Sequence, residues 1–172
     1  MSSQGYVLPA SADIGHVHLK VSNLEVSLGF YRDVLGFEVT TRFGDQAAFL
    51  SAGGYHHHLG LNTWESAGGS KPPRDATGLY HFAVRYPDRR ALAIALRRVL
   101  DAGVRLHGAA DHGVSQSIYL ADPDGNGIEL TVDTPRESWS FRADGGLDMV
   151  TESLDLRVLL EEAVPPGATP SL

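Results

Sequence analysis

Ile14-Gly15-His16-Val17-His18-Leu19-Lys20-Val21 is the stretch on which the fold turns, because its pattern comes back later in the chain. Leu79-Tyr80-His81-Phe82-Ala83-Val84-Arg85 repeats it, with His81 in the place of His16. Both alternate apolar and polar residues as a half-buried strand does. Each is followed by apolar positions at helical spacing, Leu24, Leu28, Tyr31 and Leu35 in the first copy and Leu92, Ala95, Leu96, Val99 and Leu100 in the second. Asn23 and Asp88 stand where N-caps belong, and Gly36 and Gly103 stand where a left-handed C-cap would stop each helix.

Three short strands are predicted after each helix. In the first copy they are Glu38 to Phe43, Gln46 to Ser51 and His56 to Thr63, with turns at Gly44-Asp45 and Ala52-Gly53-Gly54. In the second they are Arg105 to Gly108, Gln116 to Ala121 and Gly127 to Asp133, with strong turn chemistry in Asp122-Pro123-Asp124-Gly125. The unit is therefore βαβββ, present twice, and the class is α+β. The implied organisation is an arm over 1–13, a first unit over 14–65, a Gly- and Pro-rich connector over 66–77, a second unit over 78–133 and a tail over 134–172. Leu154 to Ala163 has the pattern of one further helix, and Pro165 to Leu172 reads as a frayed end.

Composition narrows the chemistry. The 172 residues carry 21 acidic and 14 basic side chains, a net charge of −7, with no cluster of Lys or Arg to follow a phosphate backbone, so nucleic acid is not an expected partner. There is no cysteine, which excludes disulfides, thiolate metal sites and a cysteine nucleophile, so any metal must be held by His and carboxylate. No apolar run approaches the about 20 residues of a membrane span, and Met1 to Ser11 has neither a basic start nor an apolar h-region, which gives the expectation of a cytoplasmic protein.

Strand alternation sorts the histidines. Val17, Leu19 and Val21 share one face, leaving His16, His18 and Lys20 on the other; Phe82 and Val84 leave His81, Ala83 and Arg85 opposite. Leu59 and Leu61 match Ile128 and Leu130 in the repeat, which sets Gly60 opposite Glu129 and puts His56 and His58 on the face of Gly60. If the two polar faces join into one concave surface, His16, His81 and Glu129 converge in its middle. Two imidazoles and one carboxylate are the donor set of non-haem Fe(II) oxygenases, which leaves adjacent coordination positions open.

Several phrases in register resemble the vicinal oxygen chelate superfamily, which includes extradiol dioxygenases, glyoxalase I, fosfomycin-modifying enzymes and bleomycin-resistance proteins. They are Gly15-His16-Val17-His18-Leu19, Phe30-Tyr31-Arg32-Asp33-Val34-Leu35-Gly36-Phe37, Gly78-Leu79-Tyr80-His81-Phe82-Ala83 and Leu120 through Glu129. Tyr55 through Trp64, Ala110 through Ser115 and Thr134 through Trp139 extend the likeness towards the amino-terminal half of bacterial catechol 2,3-dioxygenases. The resemblance implies a U-shaped mixed sheet around a metal-binding concavity with the helices outside. It places metal ligands on His16, His81 and Glu129, and a fourth ligand position, used by glyoxalase I, near Gly60, where a small slip would bring His58. It also puts a pocket tyrosine upstream of the carboxylate, at Tyr119, and a proton-handling histidine close to His112, with His58 and His18 as the other candidates for that role.

Three functions of different class follow. The first is an extradiol-type dioxygenase that cleaves a small catecholic ring with molecular oxygen and a divalent metal, Fe(II) first and Mn(II) next. The second is a glyoxalase-like lyase or isomerase, which needs a fourth donor from His56 or His58 and would take Ni(II) or Zn(II). The third is a pocket that sequesters an aromatic drug or metabolite; an intact His16, His81 and Glu129 argues against it, because a pure binder has no need of metal ligands. A second copy of the chain is a candidate partner. The resembled enzymes carry a second pair of units, whereas this sequence holds one pair and a tail.

Overall fold

Asn23 and Asp88 open the two main helices as their side chains predict: Asn23 Oδ1 accepts from Val26 N at 3.1 Å and Asp88 Oδ1 from Ala91 N at 2.7 Å. The computed structural model describes residues 5–73 and 75–163, so the frayed end expected over 165–172 lies outside the described residues. The first unit runs β1 (Val17–Lys20), α1 (Leu24–Leu28, continued by a wider turn over Gly29–Val34), β2 (Glu38–Phe43), β3 (Ala47–Ser51) and β4 (Leu59–Asn62). The second runs β5 (Phe82–Arg85), α2 (Arg89–Asp101), β6 (Leu106–Asp111), β7 (Ser115–Ala121) and β8 (Gly127–Asp133), followed by β9 (Glu152–Ser153) and α3 (Leu156–Glu161).

The strands form two mixed sheets, ordered β1-β4-β3-β2 and β5-β8-β7-β6-β9. In each, the first strand of the unit pairs parallel with the last, and the remaining pairs are antiparallel. The duplication read from the sequence is thus a duplication of topology, in an α+β fold. Among the described residues no helix is long and apolar enough to cross a membrane.

Two local differences have physical causes. The first helix is not α-helical throughout: after Leu28 it widens to i→i+5 bonding, as in Leu35 N to Phe30 O at 3.0 Å. Phe30 and Tyr31 in this wider turn are both buried. The last strand of the first unit begins at Leu59 rather than His56, because the β3–β4 ladder starts at Leu50–Leu59 and the chain before it is a turn. β9 has no counterpart among the expected strands, since so short a segment carries no period to read.

One hydrophobic core serves both units, drawing Leu24, Leu28 and Tyr31 from the first helix, Leu92, Leu96 and Val99 from α2, and Leu59, Leu61, Ile128 and Leu130 from the sheets. Polar contacts reinforce this junction. Tyr31 Oη donates to Asp122 Oδ2 at 2.8 Å, Ser22 N to Asp124 Oδ2 at 3.1 Å, and Arg98 on α2 caps the end of the first helix through Asp33 O (2.6 Å) and Val34 O (2.8 Å). Burial first, and the Asp122 charge next, push the Tyr31 phenol well above its ordinary range, so it stays a donor. The units are therefore joined through their apolar sides and the turn before β8.

Candidate functional site

Pairing register assigns equivalent positions in the two sheets without reference to sequence similarity. His18 faces Gly60 and Gly60 faces Phe49 in the first; Ala83 faces Glu129 and Glu129 faces Tyr119 in the second. Gly60 and Glu129 are thus equivalents, as are Phe49 and Tyr119, and His16 holds in its unit the place that His81 holds in the other.

In the second unit these positions make a polar centre. His81 Nε2 lies 3.0 Å from Glu129 Oε2, with the carboxylate largely sheltered and the imidazole about one-third exposed. Two donors at right angles around an ion with bonds of about 2.1 Å sit about 3 Å apart, so the pair fits two adjacent ligands of one cation. Tyr119 places its ring 5.7 Å from that of His81 and its hydroxyl 2.7 Å from His112 Nε2. Burial first, then the Glu129 charge, raise the Tyr119 phenol above its ordinary value, so it is neutral at neutral pH. A cavity of about 330 Å³ opens here, lined among others by Tyr80, His81, His107, Tyr119 and Ile128. That is the lower end of the size range of small-molecule sites.

The first unit is built differently at the same positions. Where the carboxylate would stand there is Gly60, and an added Cβ would lie 2.8 Å from the ring of His18. His18 lies over that space, with Nε2 3.0 Å from Asn62 Nδ2 and its ring against Phe49 and Trp64. His16 packs against His57, ring centroids 4.4 Å apart, and His57 Nδ1 is 2.8 Å from His56 Nδ1. His58 turns away from this face: its Nδ1 accepts from Ala52 N at 3.3 Å and lies 3.1 Å from Ser51 Oγ, capping the end of β3.

The fold therefore brings together His81, Glu129, Tyr119 and His112, and leaves His16 and His58 in the first unit. Among the described residues no three of His, Asp and Glu are grouped to hold a metal ion.

His107 is the cavity residue that sequence reading missed. It occupies the irregular position of β6 between Leu106 and Gly108, as Thr40 does in β2 between Val39 and Thr41. Such bulges re-aim a side chain beside a site. The spacing from Thr40 to His107 equals that from Gly36 to Gly103, and this was the available signal.

With this geometry in place, the family follows. The chain belongs to the Glyoxalase/Bleomycin resistance protein/Dioxygenase superfamily, whose model matches residues 13–130. It is 45% identical over 150 residues to a catechol-2,3-dioxygenase of Bacillus subtilis, an alignment that covers 87% of this chain and 52% of that protein. It is 32% identical over 133 residues to biphenyl-2,3-diol 1,2-dioxygenase 3 of Rhodococcus globerulus, covering 74% of this chain and 68% of the relative. The chain thus spans about half the length of the first of these. In fold it is similar to a glyoxalase/dioxygenase from Nostoc punctiforme, with a TM-score of 0.60 and 20% identity over 77% of this chain and 100% of the other.

Proposed function

We propose that the chain acts as a metal-dependent extradiol-type ring-cleaving dioxygenase on a small catecholic aromatic, with molecular oxygen as co-substrate. The observation that carries this reading is a cavity lined by His81 and Tyr119, where the histidine stands at ligand spacing from the Glu129 carboxylate and the phenol is hydrogen-bonded to the His112 imidazole. The dioxygenase relatives support the same class.

His81 and Glu129 would hold the ion, with Fe(II) the metal of choice for a His and carboxylate set with open positions. When bound, such an ion lowers the cost of deprotonating vicinal hydroxyls and links ring and oxygen electronically. The chain's own contribution is to receive the ring between Tyr80, Tyr119 and Ile128, and to provide at the Tyr119 hydroxyl and His112 Nε2 a route for a proton. The pair supplies two donors of the expected three. The third is His16 from a second copy of the chain, whose place in its own unit repeats that of His81. A lyase reading is disfavoured by Gly60 at the fourth ligand position and by His58, which is occupied at Ser51 and Ala52.

Untagged protein, loaded anaerobically with Fe(II), should consume oxygen on addition of a catechol; retention of iron without uptake across a series of catechols overturns the reaction class. For the ligand set, His16→Ala and His81→Ala should each lose the metal alone. Mixed and reassembled, they should recover up to one ion per two chains, because one of the two composite sites is then intact. No recovery on mixing removes His16 from the site.

A further inference from the structure

We infer that the tail residues Val150 to Ser153 form a strap that fixes His112 as its Nδ1–H tautomer, so that its bare Nε2 takes the proton of the Tyr119 hydroxyl hydrogen bond. The Tyr119 oxygen is thereby left as an acceptor facing the cavity. Val150 is the positioning residue, acting through its main-chain carbonyl.

The contacts leave one assignment. His112 Nδ1 is 2.8 Å from Val150 O, and a carbonyl oxygen has no proton to give, so Nδ1 must donate. In the neutral imidazole Nε2 then carries no hydrogen and can only accept, and the group 2.7 Å from it is the Tyr119 hydroxyl. With its single proton committed to His112, the phenol offers only lone pairs to a ligand. The cavity is thus set to receive a hydroxyl donor at Tyr119, the complement of a ring O–H.

What holds the carbonyl in place is the tail. Val150 N donates to His112 O at 3.2 Å, Thr151 Oγ1 lies 3.5 Å from His112 Nδ1, and β9 pairs with the outer edge of β6 through Ala110–Ser153 and Asp111–Glu152. Beyond β9, α3 anchors the strap with the fully buried Leu159 and the Arg89–Glu162 ion pair at 2.8 Å. From the other side, the hairpin that presents His112 turns at Gly113, φ +75, where Asp111 Oδ1 accepts Gly113 N at 2.8 Å. A side chain at Gly113 would be strained by that φ, and its Cβ would touch Val150 Cγ2 at 3.5 Å. Residues 150–153 lie outside the family-matched 13–130.

The use of this pair in catalysis rests on the proposed dioxygenase reading, whereas the tautomer does not, and the test separates them. Long-range ¹H–¹⁵N correlation spectra of the metal-free wild-type protein, above the usual imidazole range, should show His112 wholly as the Nδ1–H form. An Nε2–H form or a mixture overturns the inference whatever the activity. Because β9 is exposed and outside the core, Glu152→Pro/Ser153→Pro should fold while losing the ladder. His112 should then become a tautomer mixture, and the 2.7 Å contact between Tyr119 and His112 should be lost. A variant whose His112 pattern matches the wild type shows that the strap does not set it, and overturns the positioning role. A correct tautomer with no ring cleavage fails the reaction class alone.

Discussion

Removing one hydroxyl at the junction of the two units should cost a measurable share of the stability of the whole chain. Tyr31 is fully buried, and its hydroxyl donates at 2.8 Å to Asp122, itself 4% exposed. Tyr31→Phe leaves the ring packing in place and deletes only that donor. The carboxylate keeps Asp124 N (2.9 Å), Asn126 N (2.8 Å) and Asn126 Nδ2 (2.8 Å), so it is not left bare. The expected cost is that of one hydrogen bond to a charged group, about 1.5–2 kcal/mol. For a chain of this size that is a fall in Tm of roughly 3–8 °C. Asp122→Ala is different in kind, because it strands the phenol and three turn donors at once, and it should exceed about 4 kcal/mol. Urea unfolding of both single variants and the double closes a cycle. The Tyr31 substitution should add little once Asp122 is gone. A Tyr31→Phe protein within about 0.5 kcal/mol of wild type, or full additivity in the double, refutes the clamp.

Gly60→Ala should force the His18 ring from its seat and break its contact with Asn62, because the new Cβ would lie 2.8 Å from the imidazole; a crystal structure with His18 unmoved contradicts this. Gly127→Ala should be worse, since its Cβ would meet the main-chain oxygen of Tyr80, which no rotamer can relieve; a loss above about 2 kcal/mol with a displaced His81 is expected in denaturation and structure. The Gln116 amide first, and Gly113 N next, hold the Asp111 carboxyl below its ordinary value of 3.8. Its contribution is therefore complete above that value and is lost as pH falls through the lower, folded value. The amide shifts of Gly113 should move in that acid window, and Asp111→Asn should abolish the movement. Glu129→Gln should keep the fold and weaken metal retention by at least tenfold in equilibrium dialysis, because an amide is a poorer donor to a hard cation than a carboxylate.

Much of this protein is legible in one dimension because alternation and helical period are local. The paired βαβββ order, the Asn23 and Asp88 caps, the glycine stops at Gly36 and Gly103 (φ +88 and +69) and the β8 boundaries all follow from neighbours close in the chain. So does the polar face of β8 and β5, which is why Glu129 and His81 meet as their alternation implies. Tyr119 and His112 touch because a hairpin of fixed register joins them, and that too is nearly local.

Tertiary structure alone decided which faces of the duplicated units look at each other. Alternation states that His16 is on the polar side of its sheet, but the distance from there to His81 depends on how two helices, two sheets and the Asp122 turn share one core, a sum over contacts far apart in sequence. It also decided that His18 fills the space left by Gly60, and that a short strand in the tail comes back to hold His112. Neither has a period or a motif, because the first depends on volume and the second on a main-chain carbonyl that arrives from a distant part of the chain.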